Sequence, residues 1–202
     1  MIDFSKIGSG TTVDTVLPPR EIFNALPLKN SKFQYPRDIQ SQVWSKWFDQ
    51  RSKDSLVIKM NTGSGKTVVG LLILKSCLNE KKSPAVYICP DKYLVQQVID
   101  SAKELGVEVT DNIDSPRFLS GKAILVINIR TLVNGKSKFG VGDEGIKLRI
   151  SSIVVDDAHA CLDTVESQFT IKIANSANAY MELRSIFMDG QKTQRLFKTI
   201  VG

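Results

Sequence analysis

The sequence predicts an α/β domain in which a parallel sheet is covered by helices on both faces. Three observations predict it. Short, continuously apolar runs recur at residues 55–60, 85–89, 123–128 and 153–155, as in strands buried on both sides. Stretches with apolar positions at helical spacing lie between them. A glycine-rich turn joins the first run directly to a helical stretch, the connection that builds strand-turn-helix units.

The elements follow in order. Residues 1–32 carry Gly8-Ser-Gly10, Pro18-Pro19 and Pro27 with a short helix at 20–25, which predicts a strap over the domain rather than a core element. Pro36 suits the first turn of a helix running to residue 48, with Ile39, Val43, Trp44 and Trp47 on its apolar face. A loop of mixed charge, 49–54, leads into a buried strand at 55–60 and then a buried helix at 66–79. A strand at 85–89, a helix from 90 to 105, a short strand at 107–110 and a strand at 123–128 come next. After the segment 130–134, residues 136–147 are rich in glycine and charge and predict a surface loop. Residues 153–155 form the last clear core strand. Beyond it, Tyr180, Leu183, Ile186 and Phe187 stand at helical spacing, followed by Leu196 and Ile200. The expectation is a helical extension over 164–202, its apolar faces packed on the domain or on another part of a longer protein.

A chain of 202 residues, 42% hydrophobic and 24% charged, suffices for one such domain with a good core. No apolar run reaches membrane-spanning length, and the opening Met-Ile-Asp-Phe-Ser-Lys lacks a signal-peptide pattern. Cys77, Cys89 and Cys161 show no pair spacing, and the first two lie in apolar runs. Reduced thiols and a cytoplasmic protein are expected. The net charge of +6 suits a polyanionic partner such as nucleic acid, and it equally suits an ordinary solvated surface.

Residues 60–67 read Met-Asn-Thr-Gly-Ser-Gly-Lys-Thr. Gly63 and Gly65 allow a tight bend that brings backbone N–H groups toward an anion. The helix that follows points its positive end at the same place. Lys66 supplies a mobile cation for outer phosphates, and Thr67 a hydroxyl for a magnesium ion. The combination predicts a nucleoside triphosphate site. A glycine turn capped by Thr62 beside an exposed lysine is the plainer alternative. The strand at 153–155 ends in Asp156-Asp157-Ala158-His159. Ligands of parallel sheets bind outside the carboxyl ends of the strands, so this acidic pair is expected to meet the phosphates held by the turn. One carboxylate near a triphosphate holds magnesium, and a second orients or deprotonates the attacking water.

Residues 60–67 resemble motif I of the superfamily 2 helicases, usually Ala-x-Thr-Gly-Ser-Gly-Lys-Thr, and residues 156–159 resemble their DEAD or DEAH box with Asp157 where glutamate is usual. Tyr35-Pro-Arg-Asp-Ile-Gln40 is similar to their upstream adenine-reading element, residues 89–97 to motif Ia and residues 126–132 to the motif Ib region. Five such matches in the family's order span residues 33–161.

The resemblance implies a RecA-like P-loop NTPase domain at 33–163, after the strap and before the helical extension. It implies ATP and Mg2+ as cofactors and nucleic acid as partner. Gln40 would read adenine, with Phe33, Tyr35 or Arg37 stacking on it. Asn61, Thr62, Gly63, Ser64, Gly65, Lys66 and Thr67 would hold the phosphates, and Thr67 and Asp156 the metal. Lys66, Asp156, Asp157 and His159 would be the catalytic group, Asp157 activating water and His159 coupling the ATP site to nucleic acid. Pro90, Asp91, Lys92 and Arg130 would contact the sugar-phosphate backbone, where contacts are largely independent of sequence. Taken alone, Lys92 and Arg130 also suit ordinary surface charges, Phe33 and Tyr35 core aromatics, and His159 a helix start. The family's third motif, Ser-Ala-Thr, is not found; Ser176-Ala-Asn178 falls too soon after Asp157 and in an expected helix. A second RecA-like lobe is expected outside these residues, and this part alone is expected to hydrolyse ATP poorly. An ATP-dependent helicase or translocase is therefore the expected function. The alternatives are a catalytically weak, ATP-gated nucleic-acid-binding module and a P-loop ATPase acting on a protein partner.

Overall fold

The computed structural model describes residues 16–26, 33–134, 136–139 and 147–188. Four strands, β1 (Ala85–Cys89), β2 (Val109–Thr110), β3 (Ile124–Asn128) and β4 (Ser152–Val155), form one parallel sheet in the order β2-β3-β1-β4. Among the described residues eight helices accompany it: α1 (Pro19–Ala25), α2 (Asp38–Asp49), α3 (Lys66–Asn79), α4 (Lys92–Leu105), α5 (Pro116–Leu119), α6 (Ile129–Val133), α7 (Ala158–Phe169) and α8 (Asn178–Met188). The parallel α/β architecture is the expected one.

Side chains of a strand alternate between faces, and β1 uses both faces for core. Ala85, Tyr87 and Cys89 join Ile124 and Val126 of β3 in the cluster that includes α3 and α4. Val86 and Ile88 join Leu125, Ile127, Phe118 and Cys161 on the other side. The register pairs Val86 with Leu125 and Ile153, and Tyr87 with Val126 and Val154. Continuous apolar sequence in β1 and β3 follows from this double burial.

Helix α3 is apolar on nearly every side because it is covered on nearly every side. Residues 68 to 74, together with Ser76 and Leu78, are buried in it. Each large side chain so buried contributes roughly 1.5–3 kcal/mol. Its outer neighbours are α1 and α2. Phe23 and Trp44, each 1% exposed, meet with ring centroids 5.7 Å apart. The Trp44 indole donates to the Val69 carbonyl at 3.4 Å, and the Ser76 hydroxyl to the Leu17 carbonyl at 2.7 Å. The expected strap is corrected at this point: Ile22 and Phe23 are core residues, since the buried outer face of α3 needs an apolar cover. Its other parts, residues 1–15 and 27–32, lie outside the described residues.

Helix α4 buries Val98, Ala102 and Leu105 at spacings of four and three. It begins later than expected, at Lys92, because Asp91 is its N-cap and accepts from the Leu94 N–H at 2.8 Å. Gly106 ends it in the left-handed conformation at φ 80°. Likewise α2 begins after Pro36, and Ile39 on its expected apolar face is 44% exposed.

Several expected elements differ. Residues 55–60 are not a strand. They carry no ladder to the sheet, and Val57 is 99% exposed. The run stays unpaired although β4 is the edge strand of the order β2-β3-β1-β4 and its outer edge is open among the described residues. Ile153 and Val155 of β4 are 48% and 42% exposed, so this strand is half-buried rather than core. The strand expected at 107–110 shrinks to the two residues of β2, and α5 was not anticipated. Of the expected surface loop, 136–139 and residue 147 carry no helix or strand.

The chain divides into two compact units, residues 1–165 and 166–202. In the second, Leu183 and Ile186 of α8 are 42% and 69% exposed, and the expected packing on another part of a longer protein stays open. Ser176 and Ala177 lie in a turn before it rather than in a helix. Phe187, Leu196 and Ile200 fall outside the described side chains.

One contact decides how close α3 lies to the sheet. A Cβ on Gly70 would stand 2.7 Å from Tyr87 Cε2 and 3.1 Å from Val154 Cγ1. Helix propensity alone favours Gly70→Ala by about 0.8–1 kcal/mol, whereas overpacking of a rigid buried ring costs about 1–3 kcal/mol. We expect Gly70→Ala to lower the denaturant midpoint, and adding Tyr87→Leu to restore part of the loss; a midpoint that rises in the single variant would refute the close packing.

Candidate functional site

The glycine turn is built from its own backbone. Ser64 donates to the Asn61 carbonyl through its N–H at 3.3 Å and its hydroxyl at 2.6 Å. Gly63 and Gly65 then take left-handed φ values of 74° and 83°, and Gly65 becomes the N-cap residue of α3 without any side-chain cap. Of the plainer alternative, a glycine turn capped by Thr62 beside an exposed lysine, the Thr62 cap is absent at the start of α3 and the exposed lysine is present. Lys66 is exposed at the first position of α3, and Thr67 is half-buried beside it.

Residues from α2 and the turn before it clasp this loop. Gln40, 5% exposed, accepts from the Arg37 N–H at 3.0 Å and donates to the Gly65 carbonyl at 3.3 Å. The Arg37 guanidinium donates to the Gly63 carbonyl. A side chain at position 65 would overlap Gln40 Nε2, so glycine is required there for space as well as for φ. The structure thus ties Arg37 and Gln40 to the phosphate-loop backbone, a bond the sequence reading did not foresee. Phe33 packs against the core cluster, while Tyr35 is 79% exposed and stands clear of it.

The acidic pair emerges from β4. The Asp156 N–H donates to the Ile88 carbonyl at 2.8 Å, continuing the ladder to β1. Its carboxylate is held at both oxygens: Oδ2 accepts from the Tyr87 hydroxyl at 2.9 Å, and Oδ1 from the Asp157 N–H at 3.0 Å. The Thr67 side chain lies beside the same phenol. Tyr87 therefore stands between the start of α3 and the acidic pair. No sequence pattern singled out Tyr87, because a tyrosine in an apolar strand reads as core.

Asp157 has φ 44°, a left-handed backbone that aspartate tolerates far better than most residues. Its Oδ1 accepts from the Ala160 N–H at 3.4 Å and its carbonyl from the Cys161 N–H at 3.0 Å, so it starts α7. His159 is exposed on the first turn of that helix.

Burial, and then the Asp156 charge, hold the Tyr87 phenol well above its ordinary pKa. The same two causes push the Cys89 thiol up to about 12. Burial, then Asp157 and Asp156, raise Cys161 to about 11. All three groups stay protonated at neutral pH, so neither thiol is a nucleophile there.

A second feature opens beyond the carboxyl ends of β1 and β3. A concavity of about 620 Å³ is lined by Pro90, Asp91, Lys92 and Arg130, the four residues named for a backbone contact, with Asn128, Asn134 and Thr164 among the others. The last three were missed. Asn128 caps α6 through the Thr131 N–H at 3.1 Å, and Asn134 donates to the Arg130 carbonyl at 2.9 Å. An Asn directly after a buried strand was the available signal. Among the described residues, no three His, Cys, Asp or Glu side chains are grouped to hold a metal ion. No described helix is long and apolar enough to cross a membrane.

Comparison with known proteins agrees with this arrangement. The sequence profile of the DEAD/DEAH box helicases matches residues 37–194. Dicer-like protein 2 of Pyricularia oryzae is 25% identical over 154 residues, covering 68% of this chain and 10% of that protein, so the match spans about a tenth of the relative's length. No solved structure matches the chain. The α/β fold with its four-stranded parallel sheet is that of a RecA-like helicase domain. On the profile match, which covers well over half of its length, the chain belongs to the DEAD/DEAH box helicase family.

Proposed function

We propose that this chain is the ATP-binding lobe of a superfamily 2 helicase or translocase, coupling Mg-ATP hydrolysis to the binding and remodelling of DNA or RNA. The convergence of Thr67 and Asp156 on Tyr87, behind a glycine turn that opens a helix, carries the reading. The backbone N–H groups of residues 61–67 and the start of α3 cradle the phosphates, and Lys66 reaches the outer ones. The hydroxyl of Thr67 and the carboxylate of Asp156 are hard oxygen donors that fit Mg2+, which keeps water and phosphate as its remaining ligands. When bound, that ion neutralises charge on the phosphates. Tyr35 and Arg37 flank the base, with Gln40 reporting occupancy of the loop through the Gly65 carbonyl. Asp157 orients the attacking water, and His159 lies on the α7 turn that leads from Asp157 toward Ala160 and Thr164 of the concavity. Lys92 and Arg130 there take the sugar-phosphate backbone, in contacts that weaken as salt rises.

A second reading, a weakly catalytic ATP-gated binding module, is favoured by one observation. The Asp157 carboxylate is one methylene short of glutamate and already turned onto the Ala160 N–H.

Lys66→Ala is expected to weaken ATP binding by roughly tenfold to a hundredfold, the worth of a charge-assisted phosphate contact, and to abolish nucleic-acid-stimulated turnover. Titration with a fluorescent ATP analogue and a phosphate-release assay with and without single-stranded DNA, duplex DNA and RNA check both; stimulated turnover that survives the change would sink the site assignment. Asp157→Asn should cut stimulated turnover by roughly 10²–10⁴ while leaving ATP affinity within a few fold, the pattern of a lost general base. A full-length wild-type protein, second lobe included, that binds ATP but never turns over would instead select the binding-module reading.

A further inference from the structure

Tyr87 is an unusual occupant of its place. It sits in the middle of β1 at 1% exposure, with Val126 and Val154 beside it in the sheet and Val86 and Ile88 on either side in the chain. An aliphatic side chain would satisfy such a position. A phenol there must find a partner for its hydroxyl, and helix α3 must give up a side chain at Gly70 to admit the ring. Both conditions are met, and both lead to the same spot. The hydroxyl donates to Asp156 Oδ2 at 2.9 Å and also meets the Thr67 side chain. Asp156 Oδ1 is independently held by the Asp157 N–H at 3.0 Å. The carboxylate is thus held at both oxygens in one orientation.

We propose that Tyr87 is a positioning residue that holds the Asp156 carboxylate in a single prearranged orientation for the magnesium ion of Mg-ATP. The assignment rests on the Mg-ATP reading of this site and goes beyond it, since Tyr87 touches neither nucleotide nor metal. Without the phenol, the carboxylate must be immobilised when the ion arrives, and removal of such an outer partner typically weakens a metal site by about 10–100-fold.

Tyr87→Phe keeps the ring against Gly70 and removes only the oxygen. In the full chain, binding of a fluorescent non-hydrolysable ATP analogue is titrated with Mg2+ and, separately, measured in EDTA. The variant should need about tenfold more Mg2+ for half-maximal enhancement of binding, with metal-free affinity unchanged. In an Asp156→Asn background, Tyr87→Phe should add almost nothing, because the carboxylate it orients is gone; a purely structural role would give the same penalty in both backgrounds. An unchanged Mg2+ midpoint, or an equal loss in EDTA, overturns the proposal while leaving the Mg-ATP reading intact. A wild-type chain whose nucleotide binding ignores Mg2+ overturns both. Should Tyr87→Phe fail to fold, Tyr87→Met, which fills the space flexibly and also lacks the hydroxyl, is put through the same titration with the same expected shift.

Discussion

Helix α3 can lie against β1 only because Gly70 leaves room for the Tyr87 ring, and that approach sets where the glycine turn stands relative to the acidic pair. The turn belongs to α3 and Asp156 to the end of β4. Val154, two residues earlier, contacts the same point of α3. Moving the helix outward by the width of a methyl group would carry the glycine turn and Thr67 away from Asp156. Packing and chemistry are therefore one constraint here, because close-packed interiors transmit displacements rather than absorb them.

The outer layer serves the same end. Phe23 and Trp44 close over α3, and the Trp44 indole bonds to the Val69 carbonyl. Gln40 of the same α2 and Arg37, its N-cap residue, reach the carbonyls of Gly65 and Gly63. A single helix thus caps the core with its apolar side and fixes the phosphate loop with its polar end. Glycines give the loop its left-handed bends but also leave it soft; the clasp from α2 supplies the restraint that glycine lacks.

The electrostatics of the site are dominated by Asp156 and Asp157. Their charge, on top of burial, keeps Tyr87 a phenol and Cys89 and Cys161 thiols. A protonated Tyr87 is a donor, which is what the Asp156 carboxylate requires. The left-handed backbone of Asp157 also accounts for aspartate at this position: its short side chain can bond locally in that conformation, whereas a longer one gains nothing from it.

The parallel α/β class, the bounds of α3, the glycine turn and the Asp156-Asp157 pair were all legible in the sequence, because each depends on local pattern: continuous apolar runs, glycine spacing, and charge directly after a buried strand. Pro90, Asp91, Lys92 and Arg130, which the helicase resemblance named together, line one concavity. What tertiary structure alone decided is of another kind. The run at 55–60 has the composition of a strand and is not one, because pairing with an open edge is not set by local sequence. Phe23 is core rather than strap because α3 has a face to cover. Tyr87 reads as one more apolar strand residue until Gly70, Thr67 and Asp156 are placed around it. Hydrogen bonds between residues 69 positions apart depend on the packing of whole elements, which no short-range pattern encodes.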